Sequence, residues 1–204
     1  MARTKDPRVR AMLIERAAHL LNTRQPVTLR ALVKGTEVST MAVYTYFDGI
    51  DGLWKALRQE GFSRLGAALA TVEETSDPVR DLAAMGSIYA RNGLDNPDLY
   101  RVMFDAGFDL ENPAAADSTL HYLVSAVIRA QTAGRFRPDL EPLDTAVQAW
   151  IIGHGLVSLV ATGPLDEGAL THGATMLTSL YVSAGDEPSQ CRASVNAGWA
   201  FDAT

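Results

Sequence analysis

Between Ser39 and Phe47 the chain reads S-T-M-A-V-Y-T-Y-F, a run with three Ser or Thr hydroxyls, two tyrosines and no charge. Such groups can bond to phosphate oxygens and base edges, Ala and Thr methyls can touch a thymine methyl, and a Tyr hydroxyl at a helix end can reach a phosphate. A helix face that only met water would carry Lys and Glu instead. The chemistry on offer is therefore recognition of a polar groove, not bond making. No nucleophile-and-base arrangement, phosphate-cradling glycine loop or pair of carboxylates stands out elsewhere, so no catalytic residue is assigned and no enzyme is expected. His121, His154 and His172 are too scattered for ligand spacing, and Cys191 is alone. No metal site and no cofactor are expected.

Two short helices must position that run. Thr28 can cap the first through its hydroxyl, and Leu29, Leu32 and Val33 then share one face up to Gly35. A turn at Thr36 to Val38 follows, and Ser39 is placed to cap a second helix that ends at Phe47, with Val38, Val43 and Phe47 on its buried side. That is the outline of a helix-turn-helix. Upstream, Asp6-Pro7 is a cap followed by a first-turn proline, and Val9, Met12, Leu13, Ala17, Leu20 and Leu21 recur at helical spacing until Asn22. This helix would clamp the pair into a three-helix unit.

The charge supports a split. The chain has 204 residues and a net charge of −6, yet its first 65 residues carry eleven Lys or Arg against six Asp or Glu, which leaves −11 on the remainder. Arg3, Lys5, Arg8, Arg10, Arg24, Arg30 and Lys34 surround the helix-turn-helix and make an electrostatic footprint there. The basic N-terminus is not followed by an apolar signal segment, and a single cysteine suits a reducing compartment, so a cytoplasmic protein is expected.

Past Phe47, Gly49 and Asp51 open a long helix through Leu53, Trp54, Leu57, Phe62 and Leu65 to about Val72. Asp77-Pro78, Asn96-Pro97 and Asn112-Pro113 repeat the cap-and-proline sign and predict helices over about 78–92, 97–106 and 114–133. No stretch alternates as a strand would, so the fold is expected to be all-α. Glu141-Pro142 starts a helix with no charged residue from Thr145 to Leu165. Its length invites a membrane reading, but Gln148, His154 and three glycines interrupt it and Gly163-Pro164 cuts it short. A second subunit would cover its spare apolar side, and the next helix, Asp166 to Ala184, carries a comparable stripe of Leu170, Met176, Leu177, Leu180 and Tyr181. A two-fold homodimer and no membrane partner are expected. The tail, 186–204, is polar except for Trp199 and Phe201; it is either loosely held or laid along its own domain.

The run V-S-T-M-A-V-Y-T-Y-F resembles the recognition helix of the TetR family of bacterial transcriptional regulators, and Trp150, His154 and Gly155 resemble a Trp-x-x-x-His-Gly signature of one subgroup's C-terminal domains. The resemblance implies an N-terminal DNA-binding domain over 1–50 and a larger helical ligand-binding and dimerisation domain over 51–185. It places Thr28, Tyr44 and Tyr46 on phosphates and Thr40, Met41, Ala42 and Thr45 on bases, with Arg30 and Ser39 beside them. Three positions depart from the pattern. Glu37 stands where the family has Gly, so Gly35 must take over the strained position or the turn must open otherwise; Val33 replaces a small Ala; Ile50 replaces a phosphate-contacting Lys, which Lys55 or Arg58 could replace. By resemblance, Tyr89, Tyr100, Met103, Phe104, Phe108, Tyr122, Trp150 and His154 fall in the helices around a ligand cavity. The implied function is a transcriptional repressor that binds a double-stranded DNA operator as a homodimer and is released by a small hydrophobic effector. The alternative is a dimeric helical ligand-binding or scaffold protein that has lost DNA binding.

Overall fold

The computed structural model describes residues 6–201 and is helical with no strand among them. It clusters into two compact units: residues 1–64 with 96–115, and residues 65–95 with 116–204.

In the first unit, α1 (Pro7–Asn22) starts where the sequence predicts, with the Asp6 carboxylate accepting the Arg8 N–H at 2.9 Å and Pro7 in the first turn. Arg3 and Lys5 lie outside the described residues. Thr28 caps α2 (Leu29–Val33), its hydroxyl accepting the Ala31 N–H at 3.2 Å. Gly35 then takes φ +73°, the left-handed turn that Glu37 does not adopt. Helix α3 (Met41–Phe47) begins two residues later than predicted. Thr40 precedes it in helical conformation, no side chain caps it, and Ser39 contributes its carbonyl to the Ala42 N–H at 2.9 Å. The Ser39 hydroxyl is thus not the cap. Asp48 and Gly49, both at positive φ, turn the chain into α4 (Ile50–Leu69), which ends near Leu69 and not at Val72.

Leu13, Leu32, Val43, Leu53 and Leu57 are fully buried together, each contributing roughly 1.5–3 kcal/mol of burial. Arg16 closes the end of α2: its guanidinium donates to the carbonyls of Leu32 at 2.6 Å and Lys34 at 2.5 Å, which no helical N–H can reach. Helix α6 (Pro97–Met103) joins this unit through Leu99, buried against the same core.

The second unit holds α5 (Pro78–Asp95), most of α7 (Ala114–Thr132), α8 (Pro142–Ala161), α9 (His172–Ser183) and α10 (Pro188–Gly198). The predicted helix from Asp166 is divided, because Glu167–Thr171 winds as a 3-10 turn before α9. Helix α8 is long and apolar enough to cross a membrane by length and composition alone. Its inward side, Ala146, Ala149, Gly153, Leu156 and Val157, packs on α5 and α9.

The polar tail lies along its own unit. Glu187 caps α10 by accepting from the Ser189 hydroxyl and from the Ser189 and Gln190 N–H groups, which draw its carboxyl down to about 2. Trp199 is 3% exposed, packs so closely on Gly173 that a Cβ there would lie 2.2 Å from its ring, and donates to the Leu170 carbonyl at 3.0 Å. Arg135 ties the base of this helix down: it binds both Asp186 oxygens at 2.5 and 2.7 Å and Asp77 at 2.9 Å, while Ser194 donates to Asp77 at 2.6 Å. Burial raises the Asp77 carboxyl, but the hydrogen bonds from Ser194 and Arg80 and the charge of Arg135 outweigh it and hold it below its ordinary value.

Candidate functional site

Helix α3 turns Val43 and Phe47 into the core and leaves Met41 64% and Tyr44 51% exposed, with Ser39 and Thr45 also open. The exposed face therefore carries a thioether, a phenol and two hydroxyls and no charge, as the sequence predicts. The Thr45 hydroxyl donates to the Met41 carbonyl at 2.9 Å, so its oxygen keeps a lone pair for an outside donor. Thr40 is half-buried, and Ala42 and Tyr46 lean on the core cluster. Tyr46 has a structural duty: its hydroxyl accepts the Asp6 N–H at 2.9 Å, fixing the start of α1 beside α3. The phenolic proton of that hydroxyl can still be donated outward. Thr28 and Arg30 are exposed at the start of α2, where Thr28 spends one oxygen lone pair on the cap.

The two cations predicted to stand in for Ile50 are engaged. The Arg58 guanidinium donates to the Met103 carbonyl at 2.9 Å and to the Phe108 carbonyl, and Lys55 pairs with Asp109 at 3.4 Å. Nothing in the local sequence marks these partners, which lie about fifty positions away.

The aromatic candidates divide between the two units. Tyr100 and Met103 are buried in the first, Phe104 meets Tyr100 and Phe62 edge-on at 5.0 and 5.8 Å, and Phe108 stacks on Trp54 at 5.8 Å. Trp54 and Phe108, with Leu21 and Val102, line an open cleft of about 600 Å³ rimmed by Asp98, Arg101 and Asp105.

In the second unit Tyr89, Trp150 and His154 come together, and Tyr122 is half-buried on α7. The Trp150 indole N–H donates to the Tyr89 hydroxyl oxygen at 3.3 Å, and that hydroxyl lies 2.9 Å from His154 Nδ1. His154 Nε2 is 3.4 Å from the Ser158 hydroxyl. Burial depresses the His154 pKa and favours the neutral ring. A neutral ring with Nε2 protonated accepts the Tyr89 proton at Nδ1, so the chain of donors runs Trp150 to Tyr89 to His154 to Ser158. Gly153 faces the Tyr89 ring, where a Cβ would stand at an ordinary contact distance of 3.5 Å. The i, i+4, i+8 spacing of Trp150, His154 and Ser158 was the signal in the sequence; Ser158 was missed because a serine at helical spacing has no distinguishing neighbour.

Other faces of the second unit are apolar. Ile151 is 61% exposed on α8, with Leu143 and Leu159 also exposed, as are Met176 on α9 and Ile128 on α7. Among the described residues no group of three or more His, Cys, Asp or Glu side chains is placed to hold a metal ion.

Residues 82–183, half of the chain, match the family model for the tetracycline repressor-like C-terminal domain. No curated protein matches the chain. Among solved structures, a Rhodococcus sp. RHA1 protein of unknown function is 25% identical, with a TM-score of 0.71 over 89% of this chain and all of that one. RolR in complex with resorcinol is 17% identical, with a TM-score of 0.64 over 93% of both chains. TylP, a TetR regulator from Streptomyces fradiae, is 16% identical, with a TM-score of 0.66 over 91% of this chain and 90% of that one.

Proposed function

The chain belongs to the TetR family of transcriptional regulators, and we propose that it is a cytoplasmic repressor that binds operator DNA as a homodimer and lets go when a small hydrophobic molecule binds. The observation that carries the DNA reading is the outward face of α3. Met41, Tyr44, Thr45 and Ser39 stand exposed and uncharged on a helix whose other side is fixed by a closed core. In the proposed complex this helix enters the major groove, with Thr28, Arg30, Tyr44 and Tyr46 on phosphates and Thr40, Met41, Ala42 and Thr45 toward bases.

The dimer reading rests on α8 and α9. Ile151, Leu159 and Met176 expose apolar surface that a second copy would cover, and Gly155, with open space where a Cβ would be, allows close approach. Two-fold symmetry then sets the two heads about one DNA turn apart, roughly 34–36 Å or somewhat more.

For the effector, Tyr89, Trp150 and His154 supply an aromatic wall with hydroxyl and imidazole groups, and Tyr122 is assigned to the same site. The structure of RolR in complex with resorcinol supports the choice of a small aromatic effector. Helix α4 starts in the first unit and ends in the second, so an effector that prefers one setting of α4 would alter the presentation of α3. A nearly complete switch requires about a 10⁴-fold preference for the released form.

A mobility-shift titration with the DNA flanking its own gene is the direct test. A shift that weakens steeply with salt and protects two half-sites is the expected result. A protein that dimerises and binds small molecules but shifts no DNA would instead be the scaffold that has lost its operator.

A further inference from the structure

The segment 96–115 lies in sequence between helices of the second unit, yet it belongs to the first. It is pinned there at several independent points. Leu99 enters the core, and a Cβ on Gly61 would stand 2.1 Å from the Met103 side chain. Phe108 stacks on Trp54, Arg58 donates to the Met103 and Phe108 carbonyls, and the Gln59 amide oxygen accepts the Asn112 N–H at 2.9 Å. A loop held this firmly presents its side chains in fixed places. It carries three exposed carboxylates, Asp105, Asp109 and Glu111.

Two of these reach cations on the helices that flank α3. Asp109 pairs with Lys55 on α4 at 3.4 Å, and Glu111 pairs with Arg10 on α1 at 2.5 Å. Arg10 also lies over the ring of Phe47, the last residue of α3, at 5.4 Å. Asp105 has a different partner, the Gly107 N–H at 2.8 Å.

We propose that this loop is an intramolecular competitor for DNA phosphates, in which Asp109 and Glu111 occupy Lys55 and Arg10 and so set how tightly the protein holds any duplex. The proposal rests on the DNA-binding reading above. Both pairs are open to solvent, the side chains being 42% and 89% exposed in one and 37% and 38% in the other. Exposed pairs are held weakly, each by roughly the free energy of a several-fold change in an equilibrium constant. A phosphate offers the same cation a comparable partner and releases counterions as it does so. The competition is therefore close to balance, and neutralising one carboxylate tips it.

The test uses the full-length protein and a duplex recovered by the wild type from a random-sequence pool, with affinity read by fluorescence anisotropy between about 50 and 200 mM salt. Asp109→Asn with Glu111→Gln is expected to tighten binding about three- to tenfold, and to steepen the slope of log K against log salt by up to about 0.9 for each cation freed. The Asp109→Asn gain is expected to vanish in a Lys55→Gln background. Asp105→Asn, which removes the same charge without freeing a cation, is expected to give little. An equal gain in both backgrounds, or from Asp105→Asn, overturns the proposal in favour of a general field effect. No gain at all overturns it as well. A wild type that recovers no duplex from the pool refutes the DNA-binding reading itself, and the proposal with it.

Discussion

Removing the Arg135 guanidinium isolates the measurable worth of the clamp under α10. Arg135→Met keeps most of the side-chain volume and deletes the bonds to Asp186 at 2.5 and 2.7 Å, to Asp77 at 2.9 Å and to the Ser194 hydroxyl at 3.1 Å. The Asp186 side chain is 1% exposed and would stay behind without its partner, a situation that costs about 3–5 kcal/mol. Asp77 is 34% exposed and keeps the Ser194 hydroxyl, so its share is small. The loss is about a fifth or more of a typical folding free energy of about 5–15 kcal/mol. With a urea slope near 2 kcal/mol/M, the unfolding midpoint would fall by about 2 M. The assay is urea unfolding followed by tryptophan fluorescence, where Trp199 reports on α10 directly. Adding Asp186→Leu removes the orphaned charge, so the double variant is expected to recover much of the loss. The reasoning is refuted if Arg135→Met costs under about 1 kcal/mol, or if the double variant loses as much as the two single variants combined.

Tyr44→Ala should weaken binding to all duplexes alike, whereas Thr40 and Met41 substitutions should change the preferred sequence at a cost of about 1–3 kcal/mol per affected base pair; competition against point-mutated duplexes separates the two, and equal loss everywhere contradicts the roles. Ile151→Glu with Leu159→Glu should convert the dimer to a monomer in light scattering at micromolar concentration, and a wild type that is already monomeric removes the two-fold reading. Burial holds the His154 pKa below the ordinary imidazole value of 6.5. Its unfolded form binds the proton more readily, so its contribution is intact above that value and declines as pH falls through it. The stability difference between pH 7.5 and pH 5.5 should accordingly shrink in His154→Gln, and an unchanged difference would mean that the ring is no more desolvated than in the unfolded chain.

Local rules made the start of most helices readable from residue order. Asp6-Pro7, Asn96-Pro97 and Glu141-Pro142 each open a helix because the fixed φ of proline suits a first turn, and of the three only Asp6 adds a side-chain cap. The uncharged face of α3 was legible for the same reason, since a period of 3.6 residues needs no partner to be seen. Ser39 misled because Ser at a helix start is a statistical preference, while the turn set by Gly35 placed Thr40 at the boundary. What no periodicity contains is which distant surface a residue meets. Nothing in residue order shows that Arg58 meets the Phe108 carbonyl, that Lys55 meets Asp109, or that Phe108 stacks on Trp54. Residue order thus settled that this is a helical chain with a basic head bearing an uncharged, exposed helix face. Tertiary structure alone settled which carboxylates hold the cations of that head, because an ion pair between positions 55 and 109 depends on the path of the whole chain between them.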